Sequence, residues 1–193
     1  MEKIIVADSD ERYRKGVAGA LNRAGYKVFE ATDGAGLLRL AHTIHPELIL
    51  LDTKLKGMDA FEVGEILEKQ ELSTVMYMTL QPDDFFFRRI QEMTLGYYLQ
   101  KPLRLEQLYG NVKVAIQTGK QIQAMNKRIL QLEKKLAQEK TISKAKLMLM
   151  VEKAMTEEEA YDYLRKASMD RCIKLEEMAQ EILVKGKGDG AKV

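Results

Sequence analysis

The chain has 193 residues and a mass of 22.1 kDa, which is enough for one large domain or two small ones. Hydrophobic residues make up 46% of it and charged residues 31%, a balance typical of folded rather than disordered chains. The sequence shows no apolar run long enough to cross a bilayer and no signal-peptide pattern, so we predict a cytoplasmic protein with no membrane part. Its single cysteine, Cys172, excludes an intrachain disulfide and argues against a zinc site.

The formal net charge of +2 is unevenly distributed along the chain. Residues 1–119 carry 15 basic and 17 acidic side chains, whereas residues 120–193 carry 16 basic and 12 acidic ones. The excess of positive charge indicates either a C-terminal half that binds a polyanion or a solvated, charged helix face.

Short apolar segments alternate with amphipathic segments through the first 105 residues. The apolar segments, which we predict to be strands, are Ile4–Ala7, Lys27–Ala31, Leu48–Leu51, Val75–Thr79 and Tyr97–Leu99. The segments between them repeat apolar residues at helical spacing. Such an alternation predicts an α/β fold with a doubly wound, five-stranded parallel sheet, in which functional sites form at the carboxyl ends of the strands.

Four polar residues stand at the ends of these predicted strands. They are Asp8 after the first, Asp52 after the third, Thr79 at the end of the fourth and Lys101 after the fifth. We expect them to face one crevice, where a carboxylate could accept a phosphoryl group while the ammonium and hydroxyl groups compensate the added charge. No glycine-rich phosphate loop or Ser-His-Asp pattern is present, so the sequence does not predict an enzyme.

Residues 1–119 resemble the receiver domain of bacterial two-component response regulators. The matching positions are Asp8, Arg14, Gly25-Tyr26, Leu50-Leu51-Asp52, Met78-Thr79, Gly96-Tyr97-Tyr98 and Lys101-Pro102. The resemblance implies a flavodoxin-like fold and a sensor histidine kinase as partner. It also implies site roles: Asp52 as phosphoacceptor, Lys101 as charge partner, Thr79 and Tyr98 as switch residues, and Asp8 with Asp52 as ligands of Mg²⁺.

The sequence departs from the usual receiver pattern around the expected metal site. Ser9 stands where receivers usually carry a second acid, and Asp10 is displaced by one position, so the predicted Mg²⁺ site is weakened. Lys56 and Ala60 replace a frequent Pro and Gly, and Leu80 replaces a small residue where it can cover the acceptor. These departures leave open a degenerate receiver that works without phosphate, as a protein-interaction scaffold.

The sequence after Pro102 is helical and contains a heptad pattern. Steps of three and four residues join Ile122, Met125, Ile129, Leu132 and Leu136. We predict that residues 120–141 form a coiled-coil helix that dimerises through these side chains. The alternative is a helix that packs on its own domain.

Residues 142–185 resemble the ANTAR domain, an RNA-binding antitermination module of some response regulators. The matching positions are Ala145-Lys146, Leu149-Met150, Met155 through Tyr161, Leu164-Arg165, Ala167 through Arg171, Leu175, Ala179 and Ile182-Leu183. Thr156 and Glu159 within them form a capping box that starts a helix. We predict a small three-helix, all-α domain at 142–185 and a flexible tail at 186–193.

The ANTAR resemblance implies that the protein binds paired RNA hairpins in leader transcripts and prevents terminator formation. The candidate RNA-binding residues are Ala145, Lys146, Arg165, Lys166, Ser168 and Arg171. Their cations neutralise phosphates and their small side chains allow close approach. Phosphorylation of Asp52 would favour a dimer that holds two such modules together. A DNA-binding response regulator is the alternative.

Overall fold

The computed structural model describes the backbone of residues 1–189 and the side chains of residues 1–185. The chain divides into two units, Met1–Ala124 and Met125–Val193, which are described in turn. Residues 190–193 of the predicted tail lie outside the described residues. Within residues 1–189, none of the helices combines the length and the apolarity that spanning a bilayer requires.

The first unit contains a parallel sheet that, within the described residues, has five strands. They are β1 (Lys3–Ala7), β2 (Lys27–Ala31), β3 (Leu48–Asp52), β4 (Thr74–Thr79) and β5 (Tyr97–Gln100). The order β2-β1-β3-β4-β5 places β1, β3 and β4 in the interior of the sheet. These three strands are almost entirely apolar because helices cover both faces of the sheet. The predicted doubly wound fold is confirmed, and each strand lies within one residue of its predicted bounds.

The helices between the strands are α1 (Glu11–Arg23), α2 (Gly34–Ile44), α3 (Ala60–Lys69) and α4 (Asp84–Gln91). Each begins at an aspartate whose side chain accepts a hydrogen bond from a backbone N–H of the first helical turn, and these aspartates are Asp10, Asp33, Asp59 and Asp83. Such caps satisfy helix donors that have no partner inside the helix. An aspartate therefore marks the start of each of these four helices in the sequence.

Alternate residues of the strands form two apolar layers, one on each face of the sheet. Ile5, Ile49 and Tyr77 face the layer made by α2, α3 and α4. The opposite layer is made by α1 and the first turns of α5 (Leu105–Lys153), a helix of 49 residues. These two layers cover the faces of the sheet and leave its carboxyl edge for the polar residues Asp8, Asp52 and Lys101.

The second unit holds the rest of α5 together with α6 (Glu157–Asp170) and α7 (Leu175–Asp189). Its buried apolar residues are Ala145, Leu149, Ala160, Leu164, Met178 and Ala179. The predicted capping box is present: the Thr156 N–H donates to Glu159 Oε2 at 2.8 Å, and the Glu159 N–H donates to Thr156 Oγ1 at 3.3 Å. The three-helix prediction is confirmed.

The end of α7 differs from the prediction. The glycines from Gly186 onward predict a tail from that residue, but the helix continues to Asp189. Glycine in a helix costs only about 1 kcal/mol relative to alanine, so it lowers helical stability without preventing a packed helix from continuing.

A close contact between α3 and β4 yields a test of this packing. A Cβ atom added at Gly64 would lie 1.7 Å from the buried Tyr77 Oη, whereas one added at Gly16 would meet nothing within 4 Å. We expect Gly64→Ala to lower the free energy of unfolding by about 2 kcal/mol through overpacking. Gly16→Ala should leave it unchanged or raise it by up to about 1 kcal/mol, because alanine favours helices. Urea unfolding of both variants measures the difference, and equal stability would contradict the packing.

Candidate functional site

The carboxyl edge of the sheet brings three of the predicted site residues into direct contact. Asp8 follows β1, Asp52 ends β3 and Lys101 follows β5, and all three side chains are buried. Lys101 Nζ lies 2.6 Å from Asp8 Oδ2 and 2.9 Å from Asp52 Oδ1. One ammonium group therefore bridges two carboxylates that would otherwise repel each other.

Neighbouring groups hold this bridge in place. The Lys101 ammonium lies 4.4 Å from the centroid of the Tyr13 ring, within range of a cation–π interaction. The Tyr13 hydroxyl accepts a hydrogen bond from the Leu103 N–H at 3.2 Å. The sequence analysis did not single out Tyr13, whose apolar ring fits the helical spacing of α1. The only signal was its spacing, which does not distinguish a residue beside a site from a core residue.

Burial and charge act in opposite directions on the groups of the bridge. Burial raises the pKa of Asp52 above its ordinary value, although the hydrogen bond from Lys101 acts the other way. Burial alone would lower the pKa of Lys101, but the hydrogen bonds to Asp8 and Asp52 outweigh it and raise that pKa. The ammonium group is thus held in its charged form.

Ser9 occupies the predicted second-acid position, and its hydroxyl forms hydrogen bonds to two loops. Its hydroxyl donates to the Thr32 carbonyl at 3.1 Å and accepts from the Lys56 N–H at 2.9 Å. Asp10, the displaced acid, accepts from the Tyr13 N–H at 3.0 Å as the cap of α1. Ser9 supplies no carboxylate, and Asp10 lines the same cavity but caps α1.

The oxygen donors present do not make a complete Mg²⁺ site. Asp8 and Asp52 have the right chemistry, because Mg²⁺ prefers carboxylate oxygens. Lys101 binds one oxygen of each, and the second oxygen of Asp8 accepts from the Asp10 N–H at 2.8 Å. Among the described residues, no group of three His, Cys, Asp or Glu side chains could hold a metal ion.

A cavity of about 520 Å³ opens in front of Asp52. Besides the bridge residues, its lining includes Lys54, Lys56 and Leu80. Leu80 is 53% exposed and Asp52 is 7% exposed, so the leucine stands at the rim while the carboxylate lies at the base. Lys54 was not recognised as a site residue from the sequence.

Of the two predicted switch residues, Thr79 lies beside the bridge and Tyr98 lies away from the cavity. Thr79 is buried at the end of β4, and its carbonyl accepts a hydrogen bond from the Lys101 N–H at 2.7 Å. Tyr98 lies outside the cavity lining and is 40% exposed. Its ring packs edge-on against Phe86 and Phe87, at centroid distances of 5.3 and 5.8 Å.

The predicted RNA-binding residues of the second unit fall into three groups. Ala145 and Ser168 are buried in its core, and the Ser168 hydroxyl donates to the Arg165 carbonyl at 2.8 Å. Their small size serves the packing of α5 against α6, and in this conformation their side chains are not available to a large ligand.

The cations of that set differ in their partners. Lys146 forms an ion pair with Glu157 at 2.6 Å, and Arg171 forms one with Glu181. Arg165 and Lys166 are exposed on α6, and neither forms an ion pair with any described side chain. These two cations are therefore the most accessible members of the set.

The predicted dimerisation residues form a stripe along α5. Met125, Ile129, Leu132 and Leu136 are each at least half exposed, and Ile122 is partly buried. Exposed apolar side chains at heptad spacing need a partner surface to leave water.

A buried Asp-Lys-Asp cluster at the carboxyl edge of a doubly wound sheet defines a receiver module. The family described as "Response regulator receiver domain" matches residues 4–113, and the family described as "ANTAR domain" matches residues 130–183. The chain belongs to the receiver family and is a response regulator of two-component signalling with a C-terminal ANTAR domain.

Similar proteins agree with this assignment. "Transcriptional regulatory protein PdtaR" of Mycobacterium tuberculosis (strain ATCC 25618 / H37Rv) is 24% identical over 182 residues, which are 94% of this chain and 89% of that protein. "Alkaline phosphatase synthesis transcriptional regulatory protein PhoP" of Bacillus subtilis (strain 168) is 32% identical over 116 residues, 60% of this chain and 48% of its own length. Both are named as regulators of transcription.

Solved structures support the fold of the first unit. The signal receiver domain of a LuxO repressor protein from Vibrio parahaemolyticus has a TM-score of 0.59 at 16% identity, covering 64% of this chain and 96% of that one. A CheY-like receiver domain protein from Methanospirillum hungatei JF-1 has a TM-score of 0.59 at 20% identity, covering 63% and 98%.

The bridge predicts a pH-dependent loss of stability when its cation is removed. Lys101→Met leaves two buried carboxylates uncompensated, so we expect the free energy of unfolding at pH 8 to fall by about 2 kcal/mol or more. Burial already raises the pKa of Asp52, and without Lys101 this pKa lies further above its unfolded value, so the loss shrinks as the pH falls and Asp52 binds a proton. Urea unfolding at pH 8 and pH 5 measures this difference.

Lys54→Met is the matched control, because Lys54 is an exposed lysine at the same cavity. It should change stability by less than about 0.5 kcal/mol at either pH. A Lys101→Met variant as stable as this control, or with the same deficit at both pH values, would show that the bridge does not stabilise the fold.

Proposed function

We propose that this response regulator controls gene expression by binding paired RNA hairpins and preventing transcription termination. The observation that carries the proposal is the ANTAR match over residues 130–183, joined to a receiver with a buried phosphoacceptor candidate. Since terminators form in nascent transcripts, we place the protein in the cytoplasm. The similarity to regulators of transcription supports this level of action.

Asp52 is the proposed phosphoacceptor. One of its carboxylate oxygens attacks the phosphorus of a phosphorylated sensor histidine kinase or of a small acyl phosphate. The new bond joins Asp52 to phosphorus while the bond to the donor breaks, and the leaving group takes its electron pair. Lys101, at 2.9 Å from Asp52, provides a positive charge beside the new phosphoryl group. The reaction is a phosphoryl transfer to the regulator itself, which is why we do not propose an enzyme.

Mg²⁺ is the cofactor that receiver domains typically bind at this position. We propose that Asp8 and Asp52 are its only carboxylate ligands here and that its affinity is low. This follows from the serine at position 9, whose hydroxyl already serves two protein partners.

Thr79 and Tyr98 are proposed to transmit phosphorylation to the surface. The Lys101 N–H donates a hydrogen bond to the Thr79 carbonyl, so any shift of Lys101 toward a phosphoryl group acts on the end of β4. Tyr98 is 40% exposed, and its ring packs on Phe86 and Phe87 of α4. A change in the position of this ring would therefore alter the surface beside α4.

A second copy of this chain is the proposed partner of the apolar stripe on α5. Isoleucines at Ile122 and Ile129 alternate with Leu132 and Met125 in the pattern that favours parallel dimers, with Leu136 completing the stripe. In such a dimer Arg128 faces Glu133 of the second copy, but Lys135 faces a second lysine, so the apolar contacts provide most of the stability. So short a stripe gives a weak dimer that phosphorylation can strengthen.

Substitution within the stripe tests the dimer. We expect Leu132→Asp to prevent dimerisation, because a buried charge opposes the apolar contact. Leu130→Asp is the matched control, since Leu130 is also more than half exposed but lies off the stripe. The measurement is sedimentation equilibrium with and without acetyl phosphate, and Asp52→Asn should show no response to the donor.

Equal loss of the dimer in Leu130→Asp and Leu132→Asp would contradict the heptad contact. A monomer at all concentrations in the wild type, with and without acetyl phosphate, would exclude dimerisation through α5.

RNA phosphates are the proposed ligands of the exposed cations Arg165 and Lys166. Lys146 and Arg171 can join them after exchanging Glu157 and Glu181 for phosphate, at the expense of their ion pairs. In a dimer, binding of the first hairpin brings the second hairpin close to the second module. This high effective concentration raises the affinity for a two-hairpin RNA above that of a single module. Affinity should therefore depend on both the cations and the number of hairpins.

The double variant Arg165→Ala, Lys166→Ala tests the RNA surface. We expect it to weaken binding to a two-hairpin RNA about tenfold or more. The slope of log K against log salt concentration should become shallower by the amount that corresponds to about two phosphate contacts. Lys113→Ala, which removes a cation from the first unit, should have little effect. Fluorescence anisotropy titrations at several salt concentrations measure both quantities.

The same titrations distinguish the alternatives. Tighter binding to duplex DNA than to hairpin RNA would favour a DNA-binding regulator. Absence of salt-dependent binding to either nucleic acid would favour a protein-interaction scaffold and overturn the proposal.

A further inference from the structure

The cavity in front of Asp52 has an unusual balance of charge for a site that receives a phosphoryl group. Three carboxylates line it, from Asp8, Asp10 and Asp52, and three lysines line it as well. The formal side-chain charges of the lining therefore cancel. A phosphoryl donor that approaches this cavity meets little net negative charge, even before a metal ion is considered.

Ser9 is one origin of this balance. A carboxylate at its position would make the lining net negative, whereas the hydroxyl adds no charge. The two hydrogen bonds of this hydroxyl tie the segment after β1 to the Thr32 carbonyl and to the Lys56 N–H. Ser9 thus replaces a carboxylate metal ligand, and its hydroxyl also holds the loop that carries Lys56.

Lys54 and Lys56 are the second origin of the charge balance in the cavity lining. The Lys56 backbone is fixed twice, since its N–H donates to Ser9 Oγ and its carbonyl accepts from the Gly34 N–H at 3.2 Å. Both lysines belong to the cavity lining and are exposed, and neither forms an ion pair with a described side chain. Their ammonium groups are available to an incoming anion.

We propose that Lys54 and Lys56 supply the positive charge that a divalent cation would otherwise provide, so that Asp52 is phosphorylated without Mg²⁺. This inference rests on the proposed role of Asp52 as phosphoacceptor. With acetyl phosphate, an Asp52 oxygen bonds to phosphorus, the bond between phosphorus and the acetyl oxygen breaks, and acetate leaves with the electron pair. The three lysines of the cavity neutralise the phosphoryl oxygens throughout.

The test is phosphorylation of the full chain by acetyl phosphate, followed by intact-protein mass, in EDTA and in Mg²⁺. For the wild type we expect labelling in EDTA, with Mg²⁺ raising its rate by less than about threefold. Lys54→Gln with Lys56→Gln should lower the rate in EDTA about tenfold, because two of the three positive charges of the cavity lining are lost. Lys27→Gln, a lysine on β2 outside the cavity lining, is the matched control and should behave like the wild type.

Ser9→Asp provides the reverse test. An added carboxylate should repel the donor in EDTA and create a third metal ligand, so labelling becomes dependent on Mg²⁺. Titration calorimetry with MgCl₂ alone should detect tighter binding to Ser9→Asp than to the wild type. Circular dichroism verifies the fold of each variant.

The outcomes separate this inference from the proposed function. Labelling of the wild type only in Mg²⁺, or equal labelling of the double lysine variant in EDTA, overturns the inference but leaves Asp52 as phosphoacceptor. Lack of labelling under both conditions overturns both. Labelling of Asp52→Asn as strong as that of the wild type would show that the phosphate is attached elsewhere and would also overturn both.

Discussion

The ion bridge from Lys101 to Asp8 and Asp52 is the interaction on which the receiver unit depends. It joins the ends of β1, β3 and β5, which are far apart in sequence, and brings two buried carboxylates together. Two buried carboxylates repel each other, and burial already raises the pKa of Asp52. The ammonium group offsets this repulsion, and it lies 2.9 Å from the Asp52 oxygen whose charge phosphorylation would change. Stability and signalling thus use the same contact.

Most of the fold could be predicted from the sequence because its determinants are local. Strands buried on both faces are short apolar runs, and the parallel order requires helices between them. The end of α7 could not be predicted in the same way, since glycines allow a helix as well as a turn. The bridge was predictable in part: the fold implies that Asp8, Asp52 and Lys101 converge, but not that the lysine binds both acids.

The remaining features depend on contacts that no sequence pattern shows. Tyr13 lies against the Lys101 ammonium and Ser9 connects two loops, and both depend on how separate segments pack. Ala145 and Ser168 match a family pattern but lie in a core, because small residues serve both close packing and close ligand approach. Ion pairs at Lys146 and Arg171 likewise follow from the angle between helices. Residue type alone could not separate these possibilities.

The uninterrupted course of α5 constrains how the segment between the stripe and the C-terminal core can vary in length. Leu132 and Leu136 belong to the stripe, while Ala145 and Leu149 of the same helix face the small core. Each inserted residue would rotate one set against the other by about 100°, since a helix has 3.6 residues per turn. Related chains that keep both surfaces should therefore gain or lose residues here in sevens, which restores the original angular phase almost completely.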